Sequence, residues 1–369
     1  MQDDIRWMKR ALALAQQSVG VSSPNPAVGC VLVQSDGSVV GEGFHKYEEF
    51  DHAEIVALKQ AGEKARGATA YVTLEPCSHR GRTGPCADAL IHAGIARVVA
   101  ATGDPNPAVN GQGIEKLRKA GIPVDVGVLC DEARAINDGF AKYIRTGLPF
   151  VTLKAGVSLD GRIAPAPGSQ KAGKPYYITS EMSRFQVQQM RHACDAIITG
   201  IGTVLADDPQ LTDRSGCLRR QPLLRVVLDS SLRLLLNSKL VQTAKEDVLV
   251  FCTSAAPAQK QRELEARGVR VEQVPECERR VSLEHVLRRL GELQVLSAML
   301  EGGAQLNTAA MQAQIADKLC FFYAPQLLGE NAVPLFAGSA RIQPEMQRIS
   351  WKAIGNDALF EAYLRDPWK

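Results

Sequence analysis

The chain of 369 residues is poor in aromatics, at 5%, and has no 18-residue apolar run free of charge. That pattern excludes a transmembrane helix. The opening "MQDDIRWMKRALALAQ", acidic and then amphipathic, does not read as a secretory signal. A cytoplasmic location without a membrane partner is the expectation. A dominant charge of one sign is also missing. The formal net charge is +3; residues 1–149 carry 16 Lys and Arg against 17 Asp and Glu, and residues 150–369 carry 27 against 23. Neither part has the basic excess that grips a phosphate backbone, so small substrates are favoured over nucleic acid. Internal repeats and low-complexity tracts are absent. The nine cysteines are scattered except for one close pair, Cys77 and Cys86. Persistent disulfides are rare in a reducing compartment. A disulfide is then the weakest reading of the pair, against two unrelated core residues or half of a metal site.

What is present is a succession of short apolar strands and amphipathic helices, in a chain too long for one ordinary core, so two domains are expected. In the first part Asp3–Val19 reads as a helix, "AVGCVLV" as a buried strand, "SDGS" as a hairpin turn and "VVGEGFH" as the returning strand. A helix over Ala53–Ala61, strand "ATAYVTL", a helix from near Cys86, strand "ARVVAAT", helix Ile114–Ala120, strand "VDVGVL" and a last helix over Asp131–Arg145 follow. This alternation predicts an α/β layered domain with a mostly parallel sheet. Gly and Pro in "RTGLPF" place the boundary so that the domains are 1–147 and 148–369. The second part opens with "FVTLKAGVSLDGR", continues with a long helix over Glu181–His192, and has strands "AIITGI", "LLRVVLD", "DVLVFCT", "VRVEQV", "VLSAMLE" and "KLCFFYAPQLL". It is a second α/β domain with a site of its own.

The close cysteine pair gains meaning from "DHAEIVALKQAG", which puts His52 and Glu54 at the beginning of an apolar-periodic helix. Catalytic zinc takes three protein ligands and keeps a fourth position for water. His52, Cys77 and Cys86 supply such a set, and Glu54 is then a general acid/base that moves a proton from the water to a leaving amine. H-x-E followed by P-C and a further Cys is the signature of zinc nucleoside deaminases, although eight residues separate the cysteines where two are usual. Asn25, between two prolines before a buried strand, is a candidate for hydrogen bonding a pyrimidine edge or a plain turn former. His45 is either a substrate contact or an exposed strand end. His79, Arg80 and Arg82 lie on the loop between the cysteines. Asp104 and Asn106 in "DPNP" are expected to form an Asx-turn, and Cys30 is expected to be core.

"SPNPAVGCVLV", "HAE", "TLEPCSHRGRTGPC" and "DPNP" together resemble the deaminase domain of the bifunctional riboflavin-biosynthesis deaminase/reductases. In that family the long insert between the cysteines is itself diagnostic; Gly84 stands where proline is common. The resemblance covers essentially the whole chain. It implies an N-terminal cytidine-deaminase-like domain that binds one zinc ion and a C-terminal dihydrofolate-reductase-like domain that uses NADPH. The implied reactions are hydrolytic removal of the 2-amino group of 2,5-diamino-6-ribosylamino-4(3H)-pyrimidinone 5′-phosphate, and then reduction of the ribosyl chain to ribityl. A phosphorylated pyrimidine is thus the expected small-molecule partner, in a homo-oligomer.

In the second part no G-x-G-x-x-G follows the first strand, so another nucleotide site is needed. "VLSAMLEGGAQLNTAAM" offers one: a strand ends at Glu301, Gly302-Gly303 turns, and a helix begins near Ala304, where free backbone N–H groups suit phosphate. Lys154, within an apolar strand, suggests substrate binding with Asp160 as a neighbour. By resemblance, Gly156, Thr203, Asp207, Ser230 and Gly303 match positions that contact NADPH. Arg191, Leu211, Arg214 and Glu301 match positions that contact substrate. After the "SLDG" strand the family reads roughly "SGESQWIT", whereas this chain has "APGSQKAGKPYYIT". Tyr177 takes the place of the tryptophan that lies against the cofactor, and the substrate serine falls on Pro175 or shifts to Ser169. Two other readings share the zinc ligands: a tRNA-type deaminase with a non-catalytic C-terminal binding domain, and a structural zinc protein without turnover.

Overall fold

Asp3 and Asp4 in the first turn of α1 (Gln2–Ser18) favour the positive end of the helix dipole, and Met8, Ala11, Leu12 and Ala15 recur on one face and are buried. The computed structural model describes residues 2–79, 84–169, 176–338 and 343–369. The chain divides into two compact units. The first runs to Gly147 and includes Leu218–Gln221 and Trp368; the second is the remainder from Leu148.

In the first unit α1 leads to β1 (Gly29–Val33) and β2 (Val39–Phe44), then α2 (Ala53–Ala61), β3 (Thr69–Val72), α3 (Cys86–His92), β4 (Arg97–Ala100), α4 (Gln112–Lys119) and β5 (Val124–Val126). The sheet order is β2-β1-β3-β4-β5. β1 runs antiparallel to both β2 and β3, while β3, β4 and β5 are parallel. The sheet is therefore mixed rather than mostly parallel, because the hairpin at 34–38 returns β2 beside β1. Small residues decide how α2 seats. A β-carbon at Gly41 would lie 2.2 Å from Ala57 O, and one at Gly43 2.3 Å from Ala53 O. With glycine on the strand and alanine on the helix, α2 lies directly on β2, and this fixes where its first turn ends up.

The expected single helix over Asp131–Arg145 is two, α5 (Cys130–Ile136) and α6 (Asp138–Thr146). The break is Asn137, which leaves helical geometry at φ −114, ψ 16. Its buried amide accepts from Ala27 N at 2.8 Å and donates to Ala27 O at 2.9 Å, satisfying a backbone pair that no strand reaches.

The second unit is built on a nine-stranded sheet. Across it run Val269–Gln273, Val248–Cys252, Leu224–Leu228, Ala196–Gly200, Ser297–Leu300, Phe150–Ser158 and Lys318–Ala324, all parallel to their neighbours. Asp357–Tyr363 and Gln347–Ile354 complete it as an antiparallel hairpin at one edge. This hairpin, turning at Gly355 with φ +61, is absent from the sequence expectations above. Helices cover both faces of the parallel part, each over its own apolar cluster. The long helix is Glu181–Ala193; its N-cap Ser180 is held by the buried Asp357, whose Oδ2 accepts from Ser180 N at 2.8 Å and Ser180 Oγ at 2.7 Å. Among the described residues no helix is long and apolar enough to cross a membrane.

Candidate functional site

In the first unit, the start of α2 and the start of α3 converge. His52 is the N-cap of α2 and Glu54 lies in its first turn; Cys86 is the first residue of α3, after Pro85. Cys77 follows β3 on the loop between them. The His52 Nδ1 is 3.6 Å from Cys77 Sγ and 3.3 Å from Cys86 Sγ. The backbone N–H of Cys86 points at Cys77 Sγ, at 3.3 Å. The three donor atoms lie within 4.8 Å of one another. All nine cysteines are free, so no disulfide joins the pair. One imidazole nitrogen and two thiols around a common point fit a tetrahedral zinc with one position left over. The Cys86 side chain, hydrogen-bonded to Cys77, holds the Cys77 thiol well below its ordinary range, outweighing burial. That same contact, together with burial, pushes Cys86 up. A cation held by both sulfurs would remove the conflict, since each would bind as a thiolate.

Glu54 is 3% exposed. Burial raises its carboxyl to about 7, against the lowering pull of His52. A carboxyl that titrates near neutrality can both accept and return a proton. His45, which the sequence left between two readings, is buried and is no exposed strand end. Its Nδ1 donates to Asp51 O at 2.8 Å, which leaves Nε2 as the acceptor for Asn25 Nδ2 at 3.0 Å. The His45 ring meets His52 edge-on with centroids 5.3 Å apart. Asn25, His45 and the metal-type cluster are thus contiguous. His79 is exposed, and Arg80 and Arg82 lie outside the described residues. The Asx-turn forms as expected, with Asn106 N donating to Asp104 Oδ1 at 2.8 Å, and Cys30 is core. Sequence reasoning passed over Glu75, whose buried carboxylate accepts from the backbone N–H groups of Asp104, Gly111, Gly113 and Ile114. Its one signal is an acid directly before the Pro-Cys pair.

In the second unit Lys154, Arg191 and Glu301 come together. Arg191 grips Glu301 in a fork, Nε to Oε1 at 3.0 Å and a second nitrogen to Oε2 at 3.1 Å. Lys154 Nζ is 3.7 Å from Glu301 Oε2. Burial alone would raise the Glu301 carboxyl, but the two cations outweigh it and hold it at about 2. Asp160 is not the neighbour of Lys154 that the sequence suggested. It anchors a turn, accepting from Ser158 Oγ at 2.5 Å and Gly329 N at 2.7 Å, because its position after the strand leaves it at the loop rather than along the sheet. Gly303 is the N-cap of helix Ala304–Gln312, and a β-carbon there would lie 3.7 Å from Thr203 Oγ1, so these two candidates are neighbours. Gly156 faces Thr179, with 3.2 Å from a built β-carbon to Cγ2.

Other candidates are placed less tellingly. Burial raises the Asp207 carboxyl, and Ser230 Oγ accepts from Val281 N at 3.2 Å. The Leu211 side chain is in the core while its backbone is left-handed, φ +55, so any ligand contact would fall to its main chain. Arg214 is exposed; its backbone N donates to Gln188 Oε1 at 2.9 Å, and its guanidinium has no partner among the described residues. Gln188, Arg191 and His192 of one helix hold residues 212–214 in turn, through Thr212 O at 3.1 Å and Asp213 Oδ2 at 3.1 Å. Tyr177 is exposed, with the Arg184 guanidinium 4.7 Å from its ring centroid. Ser169 Oγ donates to Ala166 O, and Pro175 lies outside the described residues.

Fold and site define a zinc-binding deaminase domain joined to a reductase domain. A family profile described as "Cytidine and deoxycytidylate deaminase zinc-binding region" matches residues 1–102, and one described as "RibD C-terminal domain" matches 149–360. The riboflavin biosynthesis protein RibD of Actinobacillus pleuropneumoniae is 42% identical over 98% of this chain and 94% of its own length. That of Escherichia coli is 45% identical over 90% of each. Among solved structures, Acinetobacter baumannii RibD superposes with TM-score 0.83 at 39% identity, over 98% of this chain and 99% of that one. A Thermotoga maritima diaminohydroxyphosphoribosylaminopyrimidine deaminase/5-amino-6-(5-phosphoribosylamino)uracil reductase gives 0.79 at 34%, over 98% and 99%. The chain belongs to the RibD family, the bifunctional deaminase/reductases of riboflavin biosynthesis.

Proposed function

We propose that the first unit hydrolytically deaminates 2,5-diamino-6-ribosylamino-4(3H)-pyrimidinone 5′-phosphate and that the second reduces the ribosyl side chain of the product to ribityl with NADPH. The observation that carries the reading is the convergence of His52 Nδ1, Cys77 Sγ and Cys86 Sγ beside the buried Glu54. Zinc held by these three atoms would supply an acidified water as nucleophile at neutral pH. Glu54 takes up a proton at its carboxylate and returns it to the departing amine. The hydrogen bond to His45 fixes the amide of Asn25 so that Oδ1 is left to accept from the pyrimidine edge. In the second unit NADPH supplies hydride. Gly303 and the start of its helix suit the cofactor phosphates, with Gly156, Tyr177, Thr203, Asp207 and Ser230 around it. Arg191 is committed to Glu301, so the more loosely held Lys154 is the donor available to the sugar chain, and Arg214, whose guanidinium has no partner among the described residues, faces the 5′-phosphate. Leu211 contributes its main chain.

The tRNA-deaminase alternative is not favoured, because both parts of the chain match RibD proteins over nearly their whole length. The test supplies the purified protein with the diaminopyrimidine phosphate and follows NADPH loss, with and without a zinc chelator present from purification onward. Loss that the chelator abolishes, and that added deaminated intermediate restores, is the expected result. Zinc bound with neither reaction would overturn the substrate assignment.

A further inference from the structure

Cys77 stands on a loop, whereas the other metal-type donors stand at helix starts, so something must hold its sulfur in place. On one side α3 does so: Ala87 N donates to Cys77 O at 3.1 Å, and Cys86 N points at its sulfur. On the other side the chain is gripped two residues upstream. Glu75, 3% exposed, accepts at Oε1 from Gly113 N at 2.8 Å and Ile114 N at 3.2 Å, and at Oε2 from Gly111 N at 2.9 Å and Asp104 N at 3.2 Å. The N-terminus of α4 has no capping side chain of its own, and Gly111 stands at its N-cap. A buried carboxylate from a distant loop satisfies the free N–H groups instead. Between them the backbones touch: a β-carbon at Gly113 would lie 1.8 Å from Pro76 O. The "DPNP" turn wraps the same carboxylate. The metal-centre loop, the 104–106 turn and the start of α4 are therefore tied at one side chain.

We propose that Glu75 is the positioning residue of the metal centre: by accepting the N–H groups at the start of α4 and at Asp104, it fixes Pro76 and so sets where the Cys77 sulfur stands. This rests on the zinc-deaminase reading of the first site. Glu75 touches neither metal nor substrate, and its effect is carried along two peptide units to the sulfur.

The test uses the full-length protein loaded with zinc. Glu75→Gln keeps the shape but turns an amino group towards N–H donors. Gly113→Ala keeps the carboxylate and drives a β-carbon against Pro76 O. The readouts are zinc transfer to excess chromogenic chelator far below the melting temperature, and kcat and KM of both reactions. Both variants are expected to release zinc at least about tenfold faster and to lose deamination kcat by a similar factor, with reduction retained. Zinc release and deamination kcat within about twofold of the parent, even with a lowered melting temperature, overturn the proposal. If Glu75→Gln does not fold, Gly113→Ala decides on the same readouts. If neither folds, Glu75 is a fold-stabilising residue and the proposal fails. A parent protein without zinc or deaminase activity refutes the reading of the site itself, a result distinct from a zinc-holding parent matched by its variants.

Discussion

Glu54 is buried and Glu301 partly so, yet their carboxyls move in opposite directions. Burial dominates at Glu54, while two cations override it at Glu301. The first therefore suits proton transfer and the second a permanent charge. Glu54→Gln should cut the kcat of deamination by about 10²- to 10⁴-fold, with zinc content and reduction unchanged, as metal analysis and the two separate assays would show. Glu301→Gln should abolish reduction and destabilise the second unit by about 3–5 kcal/mol at neutral pH, because Lys154 and Arg191 lose the carboxylate they share. The Glu301 carboxyl is depressed from 4.5, so its contribution is present above that pH and is lost as pH falls towards about 2. The melting-temperature gap between parent and Glu301→Gln should accordingly be full at neutral pH and narrow below about 4.5. The candidate donors His52, Cys77 and Cys86 and the candidate acid Glu54 stand out in the sequence because each carries a local mark: a helix start or a preceding proline. The fork between Arg191 and Glu301 spans 110 residues, and Glu75 reaches up to 39 residues ahead. The fork leaves no local mark, and Glu75 leaves only an acid directly before the Pro-Cys pair.

At the scale of elements, most strands and helices follow from apolar runs and periodicity, and the failures come where a distant partner overrides them. Asn137 sits in a helical pattern, but its amide is claimed by Ala27, and the helix breaks there. Asn137→Ala would leave that backbone pair unsatisfied and should cost about 2 kcal/mol in denaturant unfolding of the first unit, without changing the kinetics of reduction. The edge hairpin of Gln347–Ile354 and Asp357–Tyr363 escaped notice because its outer strand is largely exposed and carries no apolar run. Gly43 was visible only as one of two glycines in a strand. Gly43→Ala should push α2 off β2, moving His52 and Glu54 with it, and lower deamination kcat before it lowers overall stability by more than about 1–3 kcal/mol.

For the whole molecule, the two units pose different problems to a chain that leaves the ribosome from one end. The first sheet is complete at Val126, and its strands pair with partners close by in sequence. The second begins with Phe150–Ser158, yet both neighbours of that strand, Ser297–Leu300 and Lys318–Ala324, are made some 140 residues later or more. A central strand made first must wait for both its flanks, and such long-range pairing is slow. During synthesis His52, Cys77 and Cys86 are therefore all made, with the first sheet, while the second sheet still lacks both flanks of its apolar middle strand, the stage at which such a strand is most prone to aggregate.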